Sequence, residues 1–260
     1  MNTDGLLAEI MRSLGFLTRL PISQTWFAGQ NGSLAENSRV FPLAGAVIAL
    51  PAAFALIVAS LFNLPPSVAS LAAIAVLAVV TGALHEDGLA DVADGFFGGA
   101  TEKQRLEIMK DSRIGTFAAL ALIVSVGLRT LLLATVIERT GPGLAALALI
   151  GTEAASRAAL VQFWHMLPSA RPGGLADGAG SPDGTAAFTA LLAGFLILVV
   201  TYVPAGGIGG LLIAALLCGA ATIGFANLST LKIGGQTGDT LGAVQQIATV
   251  ALLAGLVMMA

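Results

Sequence analysis

The sequence predicts an all-α, polytopic integral membrane protein, a bundle of about seven transmembrane helices. Hydrophobic residues make up 56% of the 260 residues and charged residues only 10%, against about 25% charged residues in a typical soluble domain. The mean hydropathy is +0.90. Apolar runs of about the length needed to cross 30 Å of hydrocarbon lie near 41–62, 68–84, 115–137, 143–163, 186–204, 209–226 and 243–259. We therefore treat residues 1–260 as one membrane-embedded domain that is predicted to interact with the lipid bilayer.

The segment before the first run, residues 1–40, has a different pattern. Apolar residues between Leu6 and Leu17 recur at helical spacing and alternate with Glu9 and Arg12. This pattern predicts an amphipathic helix that lies in the membrane interface and ends before Pro21. The formal net charge is only -3, which argues against nucleic acid as a partner.

The positive charges between the predicted spans are strongly asymmetric. Loops on the side of the N-terminus hold nine Lys or Arg residues and the opposite loops hold one, Arg139. The nine are Arg12, Arg19, Arg39, Lys103, Arg105, Lys110, Arg113, Arg171 and Lys232. Since cytoplasmic loops carry the excess of Lys and Arg, the N-terminus and the charged loops are predicted to be cytoplasmic.

Three charged residues fall inside the predicted spans: Arg129, Glu153 and Arg157. Glu153 and Arg157 are four residues apart on one helix, in the order that favours an ion pair. Charge inside a membrane is costly enough to indicate a functional cavity as well. Two interpretations stay open: a structural pair, or an Arg157 that binds an anion such as phosphate.

Between the second and third runs, residues 85–114 concentrate the chain's charge. On a helix, Asp87, Asp91 and Asp94 would be spaced i, i+4, i+7 and share one stripe. Repulsion among three carboxylates would be relieved by a divalent cation, and carboxylate oxygens suit Mg²⁺ or Mn²⁺. Gly88 and Gly95 would form a bare strip beside them where a ligand could approach the backbone. The alternative is a solvated helix face, but the acids alternate with Gly and Ala rather than with Lys partners.

Lys110 and Arg113 follow, just before the third run, with Asp111 between them. Two cations near a helix start could hold a phosphate, although a positive collar also marks many cytoplasmic span ends. Next to an acidic stripe, the combination favours phosphoryl transfer.

Two more predicted cytoplasmic loops are rich in glycine, Arg171–Gly180 and Lys232–Ala243. Glycine allows backbone N–H groups to approach a phosphate and form an anion nest. For each loop taken alone, the alternative is that the glycines only make the connection between two helices flexible.

At this point the motifs carry a specific resemblance. HEDGLADVADG at residues 85–95, followed by RLEIMKDSRIGTF at 105–117, resembles the cobalamin synthase family, also called adenosylcobinamide-GDP ribazoletransferases. FLTRLPI at 16–22, FPLAG at 41–45, ARPGGL at 170–175 and GGQTGDTLGA at 234–243 agree and keep their order. The resemblance therefore covers nearly the whole chain.

The resemblance implies a Mg²⁺-dependent enzyme of the bacterial cytoplasmic membrane. Its substrates would be adenosylcobinamide-GDP and α-ribazole or α-ribazole 5′-phosphate, and its products GMP and adenosylcobalamin or its 5′-phosphate. Matched position by position, the metal ligands would be Asp87, Asp91 and Asp94, and Asp94 would take the proton of the attacking hydroxyl. Lys110, Arg113 and Arg171 would offset phosphoryl charge. Substrate or phosphate contacts are further expected from Arg157, Gly88, Gly95, Asp111 and Asp239.

The sequence departs from the family pattern at two places. Glu86 adds an acid beside the motif, and Gln245, Gln246 and Thr249 stand where a glutamate is expected.

Two other functions are alternatives to this one. A cation-coupled transporter would place its acids near the bilayer midplane, whereas these lie at a span end. A CDP-alcohol phosphotransferase-like enzyme would carry an Arg where Asp91 stands. Whether the chain forms oligomers stays open.

Overall fold

The computed structural model describes residues 5–27, 33–171, 173 and 178–259. Within these ranges the regular structure is helical and no β-strand is formed, which confirms the predicted all-α class. The helices are α1 (Leu6–Leu17), α2 (Leu34–Asn37), α3 (Phe41–Leu61), α4 (Pro66–Thr81), α5 (Leu84–Gly98), α6 (Glu102–Ile108), α7 (Thr116–Thr140), α8 (Pro142–Met166), α9 (Gly184–Ile233) and α10 (Gly238–Val257). Short 3-10 turns lie at Gln24–Trp26 and Ser38–Val40.

Five of these helices are long and apolar enough to cross a membrane: α3, α7, α8, α9 and α10. The pair α4 and α5, bent by 91°, would supply a sixth span if counted together. The 50 residues of α9 would extend about 75 Å at 1.5 Å per residue, more than twice the hydrocarbon thickness.

Helix α9 is broken at Gly207, whose φ of 64° and ψ of -172° are accessible essentially only to glycine. Phe195 before the break and Gly219 after it line the same groove, so the second half folds back along the first. If α9 is counted as two crossings and the bent pair α4 and α5 as one, the described residues give seven candidate spans, the number predicted.

Helix α8 forms the centre of the bundle, with 83% of its apolar window buried. Its neighbours approach through small residues. A Cβ on Gly45 of α3 would lie 2.5 Å from the carbonyl oxygen of Glu153, and one on Gly194 of α9 would lie 2.6 Å from Ala158 Cβ. Such close contacts replace the hydrophobic effect, which does not drive association between helices within lipid.

Helix α1 has the bounds predicted for the amphipathic segment. The apolar residues Leu6, Leu7 and Phe16 are exposed, whereas Glu9 and Arg12 are buried. The helix therefore does not expose the polar face that the amphipathic pattern predicts. That α1 lies on the membrane stays a prediction. Residues 1–4 and 28–32 of the N-terminal segment lie outside the described residues.

A sharp turn after α4 positions the acidic helix. Gly82 and Ala83 both have positive φ, 64° and 56°, and the Ala83 N–H donates to the Ala78 carbonyl at 2.7 Å. Two residues in the left-handed backbone conformation therefore terminate α4, as is common at helix C-termini. Because the bend is 91°, α5 departs nearly at right angles from the end of α4 and packs against α7 and α10.

Candidate active site

The acids of α5 and the basic segment before α7 line one cleft of about 440 Å³. Its charged lining consists of Glu86, Asp87, Asp91, Asp94, Lys110, Asp111 and Arg113. Ala83, Ala90, Ala118 and Leu122 provide apolar walls between them. The predicted convergence of acidic stripe and basic pair is therefore present in the fold.

Asp94 makes contacts that differ from those predicted. The Gly115 N–H donates to its Oδ2 at 2.6 Å, and the Ala118 N–H donates to its Oδ1 at 3.0 Å. The first N–H groups of a helix have no partner within the helix, and an acidic side chain near the N-terminus stabilises the helix by accepting from them. Asp94 thus fastens the start of α7 to α5, because both of its oxygens already accept backbone hydrogen bonds.

Asp87 is exposed and Asp91 is partly buried on the same helix. Burial, followed by the negative charges of Asp239, Asp87 and Asp94, raises the pKa of Asp91 to about 7. A divalent cation would relieve this repulsion, so the donor set suits a hard metal ion. Within the described ranges, however, no three His, Cys, Asp or Glu side chains are grouped to hold a metal. The shared site of three aspartates is therefore not assembled, since Asp94 is turned to α7.

The basic pair is at the mouth of the cleft. Arg113 Nη2 lies 2.5 Å from Asp111 Oδ2, and the two side chains are 87% and 37% exposed. Hydrogen bonds from Arg113 lower the pKa of Asp111 to about 2. Asp111 therefore orients the Arg113 guanidinium in this structure, and Lys110 is an exposed cation beside it.

The predicted ligand strip of Gly88 and Gly95 is wrong. A Cβ on Gly88 would lie 2.6 Å from the Asp239 carbonyl oxygen, and one on Gly95 would meet Met109 and, at 3.0 Å, the Arg105 carbonyl oxygen. Both glycines are buried. They allow α5 to pack closely against the start of α10 and against α6, so no ligand has access to them.

The two glycine-rich loops lie side by side. Ser169 and Gln236 form a β-bridge, with Gln236 N–H donating to Pro168 and Ala170 N–H donating to Gln236, each at 2.8 Å. Arg171 Nη2 is 3.6 Å from Asp239 Oδ2. This pair is outside the lining of the cleft, although Asp239 is close enough to raise the pKa of Asp91. Residues 172 and 174–177 of the first loop lie outside the described residues.

Arg157 forms the structural pair, one of the two interpretations left open. Its guanidinium contacts the Glu153 carboxylate, and the side chains are 1% and 3% exposed. Gln245 Nε2 adds a hydrogen bond to Ser156 Oγ at 3.0 Å. Arg157 does not line the cleft, so its expected contact with phosphate is wrong for this conformation.

Sequence reasoning missed the partner of Arg129. Its Nη1 lies 3.1 Å from Glu86 Oε1, and Gln246 Nε2 donates to the same oxygen at 3.2 Å. The sequence did indicate that such a partner exists, because a charged side chain within a membrane span requires an oppositely charged or polar partner. Glu86, one of the departures from the family motif, meets that requirement and lies at the cleft.

Comparison with known proteins agrees with the motifs. A family model described as cobalamin-5-phosphate synthase matches residues 9–257. The chain is 56% identical to an adenosylcobinamide-GDP ribazoletransferase of Brucella anthropi over 258 residues, 99% of each chain. Proteins of the same name from Brucella canis and Brucella suis are each 54% identical, again over 99% of each chain. No solved structure matches. The chain belongs to the cobalamin-5-phosphate synthase family.

Proposed function

We propose that this protein is an adenosylcobinamide-GDP ribazoletransferase. A ribose hydroxyl of α-ribazole, or of its 5′-phosphate, attacks the phosphorus next to the corrinoid side chain. The new P–O bond forms as the bond to GMP breaks, and GMP leaves with the bonding electron pair. The observation that carries the proposal is the joining of the α5 acids and the Lys110–Arg113 segment in one cleft, in a chain that matches the family over nearly its full length.

The cleft supplies the charges that diphosphate chemistry requires. Asp87 and Asp91 would hold Mg²⁺, which when bound neutralises charge on the diphosphate and on the leaving group. Lys110 and Arg113 offset the charge of the transferring phosphoryl group from the mouth. Arg113 is held by Asp111, so a phosphate that replaced this carboxylate would gain a bidentate contact.

The proton of the attacking hydroxyl needs an acceptor within the cleft. Asp91 suits this role better than Asp94, because the Asp94 oxygens are used by Gly115 and Ala118.

The test is direct. Purified protein in detergent or nanodiscs is incubated with adenosylcobinamide-GDP, Mg²⁺ and either α-ribazole or α-ribazole 5′-phosphate, and GMP and the corrinoid product are measured by liquid chromatography. We expect GMP and product in equal amounts, and rates that differ between the two acceptors. Absence of GMP from monodisperse protein with every acceptor would refute the proposal.

We also propose that the cleft opens to the cytoplasm, because nine of the ten loop Lys and Arg residues lie on that side. Single cysteines would be placed at Ser112 and at Thr140, in a background where Cys218 is replaced by Ala. We expect a membrane-impermeant maleimide to label the Thr140 position in intact cells and the Ser112 position only in inverted vesicles. The reverse pattern would overturn the orientation.

A further inference from the structure

The acidic helix α5 is attached to α7 by two of its carboxylates. Asp94, in the second half of α5, accepts two N–H groups at the start of α7. Glu86, in the first turn of α5, lies 3.1 Å from Nη1 of Arg129, which stands further along α7. The two attachments are separated by about 12 Å along the axis of α5. Asp87 and Asp91, the proposed metal ligands, lie between them.

Two attachments fix the direction of a helix, whereas a single one leaves it free to pivot. The close contact of Gly88 with the Asp239 carbonyl oxygen sets the separation of α5 from α10, but it does not act on α7. The α7 side of the cleft is formed by Ala118 and Leu122. The distance from this wall to the acids of α5 therefore depends on the Glu86 attachment as well as on the other one.

The Glu86 attachment is an ion pair in a dry environment. The side chains of Arg129 and Glu86 are 2% and 12% exposed, and Arg129 belongs to a helix that is long and apolar enough to cross a membrane. Hydrogen bonds between charged groups are stronger than neutral ones, and a low local dielectric strengthens them further. Removal of either partner would leave a buried charge uncompensated, so this contact holds α5 and α7 together firmly.

The same carboxylate oxygen is also contacted from α10. Gln246 Nε2 donates to Glu86 Oε1 at 3.2 Å, so Gln246 and Arg129 approach one atom from two helices. Gln246 also donates to Gln245 Oε1 at 2.9 Å, and Gln245 donates to Ser156 on α8 at 3.0 Å. Because glutamate and glutamine have side chains of the same length, a carboxylate at position 246 would lie close enough to serve Arg129 as its anion.

We propose that Glu86 is a positioning residue, which pairs with Arg129 to hold the first turn of α5 against α7 and so places Asp87 and Asp91 for the reaction. Glu86 acts through Arg129 and not through contact with the substrate. This inference rests on the proposed function for the reaction that is measured. It assigns a role to a buried ion pair that the proposed mechanism does not use.

The chain allows the negative charge to be moved without a second change to the cleft. Glu86→Gln keeps the size of a side chain that lines the cleft but takes the carboxylate away from Arg129. Adding Gln246→Glu returns one carboxylate to this arginine from α10, while position 86 presents the same glutamine to the cleft. Gln246→Glu alone places two carboxylates beside one arginine and should also be unfavourable. The two single variants and the double variant therefore form a double-mutant cycle.

Glu153 supplies a matched control. It is also a buried glutamate paired with an arginine, Arg157, but both residues belong to α8 and neither lines the cleft. Glu153→Gln therefore removes a carboxylate from a buried arginine, as Glu86→Gln does, without releasing α5 from α7. It should lower the unfolding temperature and leave the folded protein's kinetics unchanged.

The experiment measures GMP release, Mg²⁺ affinity by calorimetry and thermal unfolding of detergent-purified protein. For Glu86→Gln we expect kcat at saturating Mg²⁺ to fall by about 10- to 100-fold, the loss that a misplacement of about 1 Å produces. Mg²⁺ affinity should fall by about tenfold, whereas KM for adenosylcobinamide-GDP should stay within about threefold, because the contacts of Lys110 and Arg113 remain. The double variant should return to within about threefold of the parent kcat.

Three results would overturn the inference. Glu86→Gln could keep kcat and Mg²⁺ affinity within about twofold of the parent, or Glu153→Gln could lose as much kcat as Glu86→Gln. The double variant could also show the product of the two single losses, which would mean that Glu86 acts directly in the cleft.

Arg129→Lys decides the matter if Glu86→Gln and the double variant do not fold, because it keeps the positive charge but loses the planar set of donors. A lower kcat with unchanged KM then supports the inference, and parent kinetics reject it. Failure of all three variants to fold while Glu153→Gln folds also rejects it, since the pair then serves stability alone. If the parent itself releases no GMP, the proposed function fails, while Mg²⁺ affinity across the cycle still tests the positioning role.

Discussion

Replacement of Asp94 separates a positioning role from a chemical one. Its carboxylate accepts the Gly115 and Ala118 N–H groups at 2.6 and 3.0 Å, so the fold uses it to attach α7 to α5. Loss of a charged helix cap costs about 0.5–2 kcal/mol, and loss of the favourable helix-dipole contact adds about 0.3–1 kcal/mol. We therefore expect Asp94→Ala to destabilise the protein by about 1–3 kcal/mol.

Asp94→Asn is the informative variant. Asparagine caps helices about as well as aspartate, and its carbonyl oxygen can keep one of the two hydrogen bonds. We expect it to unfold within about 1 kcal/mol of the parent and to keep turnover within about tenfold. Asp91→Asn, in contrast, should lower turnover by roughly 10³-fold, because it removes a proposed metal ligand and proton acceptor.

The assay combines GMP release at saturating Mg²⁺ with thermal unfolding in the same detergent. Asp94→Ala should lose both stability and turnover, because the start of α7 forms part of the cleft wall. If Asp94→Asn keeps the parent's unfolding temperature and yet loses as much turnover as Asp91→Asn, Asp94 reacts directly and our reasoning is refuted.

Three further outcomes are expected. Gly88→Ala should destabilise the protein by about 1–3 kcal/mol, because the added Cβ would lie 2.6 Å from the Asp239 carbonyl oxygen at the start of α10. Gly127→Ala on α7, where nothing lies within 4 Å of an added Cβ, should be neutral or stabilising in the same unfolding measurement, and equal effects of the two substitutions would contradict the close packing. The pKa of Asp91 is raised to about 7 in the absence of metal, so the affinity for Mg²⁺ or Mn²⁺, measured by calorimetry, should increase from about pH 6 to about pH 8, with release of a proton on binding. The metal-free protein should lose stability as the pH rises through about 7. If either pH dependence persists in Asp91→Asn, it does not originate from Asp91. Arg113→Ala should lower kcat/KM by about 10- to 100-fold, and unchanged kinetics of this variant would show that Arg113 is not part of the site. Asp111→Asn, which breaks an exposed ion pair, should change the free energy of unfolding by less than about 1 kcal/mol.

Composition and local pattern were enough to predict the architecture. Apolar runs of membrane-crossing length follow from the chemistry of the bilayer, which requires each spanning segment to satisfy its own backbone hydrogen bonds. The helix Leu6–Leu17 and the acidic helix Leu84–Gly98 follow from spacing alone. The turn at Gly207 was anticipated as a boundary between two runs, although its positive φ could only be seen in the fold.

Prediction of the site succeeded where neighbours in sequence are also neighbours in space. Asp87, Asp91 and Lys110 come together because one turn and one short helix connect them. It failed for Gly88 and Asp94, because their surroundings are supplied by other helices.

The sequence by itself determined which residue types were present and which family the motifs resemble, and it predicts that the charged residues lie at a membrane boundary. Only the tertiary structure decided which charges pair: Arg129 with Glu86, 43 residues away, and Asp94 with the start of α7. The physical reason is that a side chain's partner depends on which helices meet, and within a membrane that meeting is decided by close packing of small residues rather than by any local periodicity.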